Sequence, residues 1–137
     1  MLKGIYLLIL KVRKNTAIKV GSLGVVDFQT GYCVYVGSAQ NNLVKRVQRH
    51  LSLDKKIRWH IDYLTTSAGV DIERVLFRSG NKLEECKTAS ILSETAAAVP
   101  GFGSSDCRCR SHLFMTGSID EIKLRGFRGL EIEKLSR

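Results

Sequence analysis

A guanidinium and an imidazole one helical turn apart, Arg46 and His50, follow directly on a small-residue run, Tyr35-Val36-Gly37-Ser38-Ala39. Asn41 and Asn42 offer a helix N-cap, after which Leu43, Val44, Val47 and Leu51 recur at helical spacing and mark a helix over 41–52. Arg46 and His50 lie together on one border of that stripe, while Lys45, Gln48 and Arg49 point away. Strand, tight turn and helix in this order carry cations to the mouth of a sheet, where charged N–H groups can hold phosphate oxygens. An acid to complete such a site is Glu85, which falls in line with Ala89, Leu92 and Ala96 on a later helix, whereas Glu84 sits about a quarter-turn away. A carboxylate on an apolar stripe costs free energy unless it is paired, hydrogen-bonded or coordinating a metal. The alternative for Glu85 is a first-turn acid favoured by the helix dipole and otherwise idle.

A second constellation is soft. Cys107-x-Cys109-x-x-His112 places three soft ligands within six residues, and Cys86, next to Glu85, offers a fourth. Four such ligands would close a tetrahedron around zinc. Alternatively Cys86 is a small core residue, and Cys107 and Cys109 are free thiols or form a disulfide with another cysteine. Cys33 sits in an apolar strand and reads as packing.

The elements that must position these groups follow from the pattern. Residues 4–13 are an almost continuous apolar run, too short for a typical helix, and read as a buried central strand. Short runs at 16–20, 24–28 and 32–36, punctuated by glycine turns, make the N-terminal third antiparallel sheet, with Tyr6 and Tyr35 on neighbouring strands. Asp54 is placed to cap a helix over 55–66 whose Ile57, Ile61 and Leu64 face the core, with His60 beside them and Trp59 and Tyr63 paired on another face. A strand over 71–77, a helix over about 82–98 ended by Pro100-Gly101, and a strand over 113–116 complete the core. The tail from Ser118 reads as a short helix followed by an edge strand or second helix.

Composition points to a polyanionic partner. Of a formal net charge of +9, residues 1–63 carry 11 Lys/Arg against 3 Asp/Glu, whereas residues 64–137 carry 11 against 10. Nucleic acid is the commonest such partner, and Lys45, Arg49, Lys55, Lys56 and Arg58 are the candidate backbone contacts. At 137 residues a single domain is expected, with its core over about 4–116 and a C-terminal extension over 117–137. The sequence has no apolar stretch of bilayer length and no signal-peptide pattern at its start, so the expectation is a cytoplasmic protein with no membrane role.

With Gly4-Ile5-Tyr6, Tyr35-Val36-Gly37, Arg46 and His50 in this order, the chain resembles the GIY-YIG nuclease superfamily. More narrowly, it resembles the small branch that also occurs fused to endonuclease III-type DNA glycosylases. Trp59-His60-Ile61-Asp62-Tyr63-Leu64, Glu85-Cys86, Gly101-Phe102-Gly103-Ser104-Ser105-Asp106-Cys107 and Ser111-His112-Leu113-Phe114 carry that narrower likeness. The resemblance implies an α+β fold, a small mainly antiparallel sheet flanked by helices. It also implies a DNA endonuclease using one divalent cation, Mg2+ or Mn2+, in repair or processing. In that scheme Tyr6 activates or positions the attacking water with support from Tyr35, Arg46 holds a scissile phosphate oxygen, His50 positions water or contacts phosphate, and Glu85 holds the cation. A glycosylase or other repair protein is the implied partner.

Two features depart from the pattern. The 28 residues between Tyr6 and Tyr35 imply an inserted pair of strands, which would narrow or reroute a DNA channel, and no asparagine follows Glu85 at the usual place. The competing expectations are therefore a catalytically silent nucleic-acid-binding module and a zinc-stabilised interaction domain.

Overall fold

The strand β1, Gly4–Val12, has eight of its nine residues buried, because both of its faces are covered. The computed structural model describes residues 2–104, 107–119 and 126–135 of the chain. β1 pairs antiparallel on one side with Gly31–Ala39 and on the other with Val70–Arg78. That central position is what an unbroken apolar run encodes, since alternation is needed only where one face meets water. Two short strands, β2 (Thr16–Lys19) and β3 (Val25–Phe28), form a separate hairpin before β4 (Gly31–Ala39). After β4 come helices α1 (Leu43–Leu51) and α2 (His60–Thr65), β5 (Val70–Arg78), helix α3 (Lys82–Leu92), β6 (Ala97–Ala98), β7 (Leu113–Thr116) and β8 (Arg128–Leu130).

The main sheet has six strands in the order β6-β7-β4-β1-β5-β8, and every pairing is antiparallel. The period-2 alternation of β1 splits its side chains between two packed layers. Tyr6, Leu8, Leu10 and Val12 pack on the face covered by α1 and α2 through Leu43, Val47, Leu51, Ile61 and Leu64. Ile5, Leu7 and Ile9 pack on the opposite face with Ala89 and Leu92 of α3. The fold is thus α+β, consistent with a small nuclease-like core. The expected inserted strands are present, and their Ile18, Val20 and Phe28 join the layer under α1 and α2.

Three local expectations are corrected. α2 begins at His60 rather than at residue 55, and Ile57, expected in the core, is 43 % exposed. The reason is Asp62, whose buried carboxylate turns back to accept the backbone N–H groups of Arg58 and Trp59 and so fixes the helix start there. α3 stops at Leu92 rather than near 98, because Ala97 and Ala98 pair with Met115 and Phe114 at the sheet edge. Trp59 and Tyr63 do not pair, since Trp59 precedes the helix and stacks on arginines, while Tyr63 packs toward Gly21 beside the inserted hairpin. The C-terminal extension supplies an edge strand, β8, against β5. The short helix expected after Ser118 falls largely on residues outside those described. Among the described residues no helix is long and apolar enough to cross a membrane.

Candidate functional site

Gly37 lies opposite Tyr6 in the β1–β4 ladder, and a Cβ there would overlap the Tyr6 ring. The missing side chain therefore lets the phenol lie across β4 at the end of the sheet. Gly4 is constrained similarly: it has a φ of 145°, and a Cβ would overlap the backbone carbonyl of Arg78. Both glycines of the paired tripeptides thus have a steric reason to be glycine.

Above this floor opens a cleft of about 560 Å³. Tyr6, Tyr35 and Gly37 form its base, Arg46 and Arg58 one wall, and Lys82, Glu85 and His112 the other. None of the described lining residues comes from the inserted hairpin. Glu85 is the one carboxylate among the described lining residues. It is nearly buried on the first turn of α3, whose N-cap Asn81 accepts the Glu84 N–H. Glu84 turns elsewhere, to Arg78 at 3.3 Å and to Lys87. The distinction drawn from the helical stripe between the two acids is therefore visible in space.

Beneath the floor lies His50, with no exposed surface. Its Nε2 is 2.7 Å from the Tyr6 hydroxyl, and among the described residues its Nδ1 has no partner. His50 thus reaches the cleft through Tyr6 rather than contacting phosphate or cleft water itself. Burial, reinforced by the Lys55 ammonium, lowers His50 from 6.5 to about 3, so the ring is neutral at physiological pH. Burial also raises Tyr6 well above 10, although the Arg46 guanidinium opposes the shift. Tyr35 is raised likewise, by burial and then by the nearby Tyr6 and Glu85. Both phenols keep their protons at neutral pH, which suits positioning by hydrogen bonds and does not suit a standing phenolate base.

Arg46 donates to the Ser38 carbonyl at 3.2 Å and lies 4.8 Å from the centre of the Trp59 ring. Trp59 also carries Arg49, at 4.3 Å, so this aromatic holds two guanidinium groups by cation–π contact. Arg49 and Lys55, expected on the nucleic-acid surface, are drawn inward instead. Arg49 makes a bidentate pair with Asp62 at 3.0 and 2.9 Å. Lys55, with only 5 % of its side chain exposed, donates to the carbonyls of Arg49 and His50 at the end of α1 and to Thr65. A cation is well placed there, because the last carbonyls of a helix lack internal partners. Lys45, Lys56 and Arg58 are exposed, as expected of backbone contacts. Asp62 is the organiser that the sequence reading missed. Burial would raise its pKa, but hydrogen bonds from Arg49 and from the Arg58 and Trp59 amides outweigh that and hold it below the usual value. The available signal was its position three residues after Trp59, the capping-box spacing.

The soft cluster assembles. One ligand atom from each of Cys86, Cys107, Cys109 and His112 lies within 4.8 Å of every other, and the four can hold a metal ion. The cysteines are free thiols, not disulfides. Cys33 is buried in β4 away from this group, with its thiol pushed up to about 12 by burial. His60, half-buried at the start of α2, accepts the Gly103 N–H on Nδ1 at 2.9 Å and so pins the loop leading to the cysteines.

A small antiparallel α+β core with one basic, single-carboxylate cleft at a sheet end and a Cys/His cluster beside it is the class of protein these features define. A family model described as domain of unknown function DUF123 matches residues 5–129, and the chain belongs to that family. Comparison with curated proteins and with solved structures gave no significant match.

Proposed function

We propose that this protein is a metal-dependent DNA endonuclease of the GIY-YIG type, acting in repair or processing. The observation that carries the reading is convergence: two tyrosines from β1 and β4, an arginine from α1 and a carboxylate from α3 face one open cleft. Each residue alone has an ordinary structural explanation, but their meeting in one cleft does not follow from folding needs. The open, basic rim suits a polyanion, and contacts to phosphates carry affinity without specifying sequence.

The donor set fits a hard cation. Glu85 offers the one carboxylate among the described lining residues of the cleft, and Mg2+ or Mn2+ accepts such a site when water and phosphate oxygens complete its shell. Such a cation would neutralise phosphate charge and lower the pKa of a water. The chain's own residues do the rest. Arg46, fixed by Ser38 and Trp59, presents its remaining N–H groups to a phosphate oxygen and offsets the charge that grows during in-line attack. Tyr6 orients the attacking water through its hydroxyl, whose direction is set by His50 beneath it. Tyr35, edge-on to His50 at 6.0 Å, fixes that ring from the other side.

The Cys/His cluster takes zinc in this reading. Zn–S and Zn–N bonds of about 2.3 and 2.0–2.1 Å place tetrahedral S···N edges near roughly 3.6 Å. The Cys107 Sγ to His112 Nε2 separation is 3.4 Å. Three thiolates and an imidazole leave no open position, so this ion is structural.

The test is cleavage of labelled linear, flapped, branched and abasic DNAs with Mg2+ or Mn2+, comparing wild type with Arg46→Ala. Metal-dependent cleavage that Arg46→Ala loses supports the nuclease. Binding of the whole panel without cleavage replaces it with a silent DNA-binding module.

A further inference from the structure

His112 stands between Glu85 and the thiol of Cys107. Its ring is 3 % exposed, its Nε2 faces the Cys107 thiol at 3.4 Å, and its Nδ1 faces Glu85 Oε2 at 3.9 Å. The chain adds a second tie, because Cys86 directly follows Glu85 on the first turn of α3. A ligand of the soft cluster and the cleft carboxylate are thus neighbours on one helix, and another ligand of the cluster faces that carboxylate on the same wall of the cleft.

From this arrangement we infer that zinc in the Cys86–Cys107–Cys109–His112 cluster positions Glu85 through His112, so that the structural ion sets the geometry of the cleft carboxylate. The inference rests on the zinc assignment above and is independent of nuclease activity. Imidazole that binds a metal through one nitrogen gains basicity and a fixed orientation when its other N–H meets a carboxylate. Glu85 is placed to be that carboxylate. It favours the tautomer with hydrogen on Nδ1, which leaves the Nε2 lone pair directed at the thiols. The contact at 3.9 Å is an ion-pair separation, which metal capture by Nε2 and a small side-chain rotation would draw into a hydrogen bond.

The loop carrying Cys107 and Cys109 gives the link a mechanical purpose. Between β6 and β7 the described residues include no helix or strand, and backbone bonds such as Gly101 N–H to Arg110 O and His112 N–H to Phe102 O, both 2.8 Å, tie them together. This same loop delivers Gly103 and His112 to the cleft. Cys86, Cys107 and Cys109 would hold such an ion between them, which would tie this part of the chain to α3. His112 is therefore a positioning residue for Glu85, and Glu85 is reciprocally a supporting residue for the zinc site.

The reciprocity supplies the test. Zinc affinity is measured by chelator competition on the full chain for wild type, Glu85→Gln, Glu85→Ala and Glu84→Gln, and each protein is also loaded with cobalt for its visible spectrum. The expected result is one zinc per chain in wild type, affinity about ten-fold or more weaker in both Glu85 variants, and a shifted cobalt spectrum. Glu84→Gln should match wild type, because that residue turns to Arg78 and Lys87. Unchanged affinity and superimposable spectra in the Glu85 variants would overturn the coupling while leaving the zinc site standing. Wild type that holds no stoichiometric zinc, even after refolding with it, would overturn both. Circular dichroism separates a misfolded variant from an informative one, and Gln and Ala at the same position provide two chances of a folded protein. DNA cleavage enters none of these outcomes, so the nuclease reading is judged separately.

Discussion

The Tyr6 hydroxyl lies 2.7 Å from Nε2 of His50, and both residues are buried at the base of the cleft. One residue of the pair faces substrate space and the other does not, so their roles separate. Tyr6→Phe should slow cleavage by about a hundred-fold or more, if the hydroxyl orients the attacking water. It should also destabilise the fold by about 1–3 kcal/mol, because it strands the buried imidazole nitrogen. Single-turnover rates and urea melts on one preparation check both. A full-rate Tyr6→Phe protein would remove the phenol from the chemistry.

The same burial makes a pH prediction. His50 is lowered from 6.5 to about 3 in the folded chain, chiefly by burial and then by Lys55. Between these values the unfolded chain binds a proton that the folded chain refuses. Stability from this group is therefore complete above pH 6.5 and is lost as pH falls toward 3. Asp62, also depressed, adds a loss in the same direction at lower pH. Urea midpoints should fall between pH 7 and pH 5 in wild type and change much less over that range in His50→Gln. Equal slopes in the two proteins would show that His50 is not the group responsible.

Gly37→Ala should cost about 1–3 kcal/mol and reduce cleavage together, because the added methyl must displace the Tyr6 ring. Gly69→Ala is the control, with nothing within 4 Å of the new Cβ. Thermal melts of the two variants should separate clearly; similar losses would mean that Tyr6 yields without consequence.

Asp62→Ala leaves Arg49 and the buried Lys55 without their shared carboxylate and frees the start of α2. Removing one partner of a buried pair typically costs about 3–5 kcal/mol, since the remaining charge is still desolvated. The melt should show a loss of that order and Trp59 fluorescence should change, because Arg49 no longer has an anchor beside the ring. A loss below 1 kcal/mol would relegate Asp62 to a surface role.

Much of this arrangement was legible where local period and burial agree. The unbroken apolar run of β1, the α1 stripe bordered by Arg46 and the alignment of Glu85 with Ala89 and Leu92 all translated directly into packing. What was illegible depends on partners distant in sequence. The depth of His50 is set by Tyr6, Tyr35 and Trp59 closing around it from three elements. Arg49 and Lys55 look like a solvated basic run until Asp62 is brought to them. The early end of α3 is decided by an edge pairing with β7, which overrides the helix preference of Ala97 and Ala98. His112 reads as a metal ligand in sequence, but its second contact, to Glu85, exists only once the chain before β7 meets the start of α3.

In the proposed nuclease, Glu85 holds the divalent cation on which cleavage depends. The most direct measurement is binding and cleavage, side by side, of the DNA that wild type cuts fastest, by wild type and Glu85→Gln with Mg2+ or Mn2+. Cleavage should fall at least about a hundred-fold while the dissociation constant for DNA stays within about three-fold. A Glu85→Gln protein that cuts at the wild-type rate, or wild-type cleavage that persists in excess chelator, would contradict it.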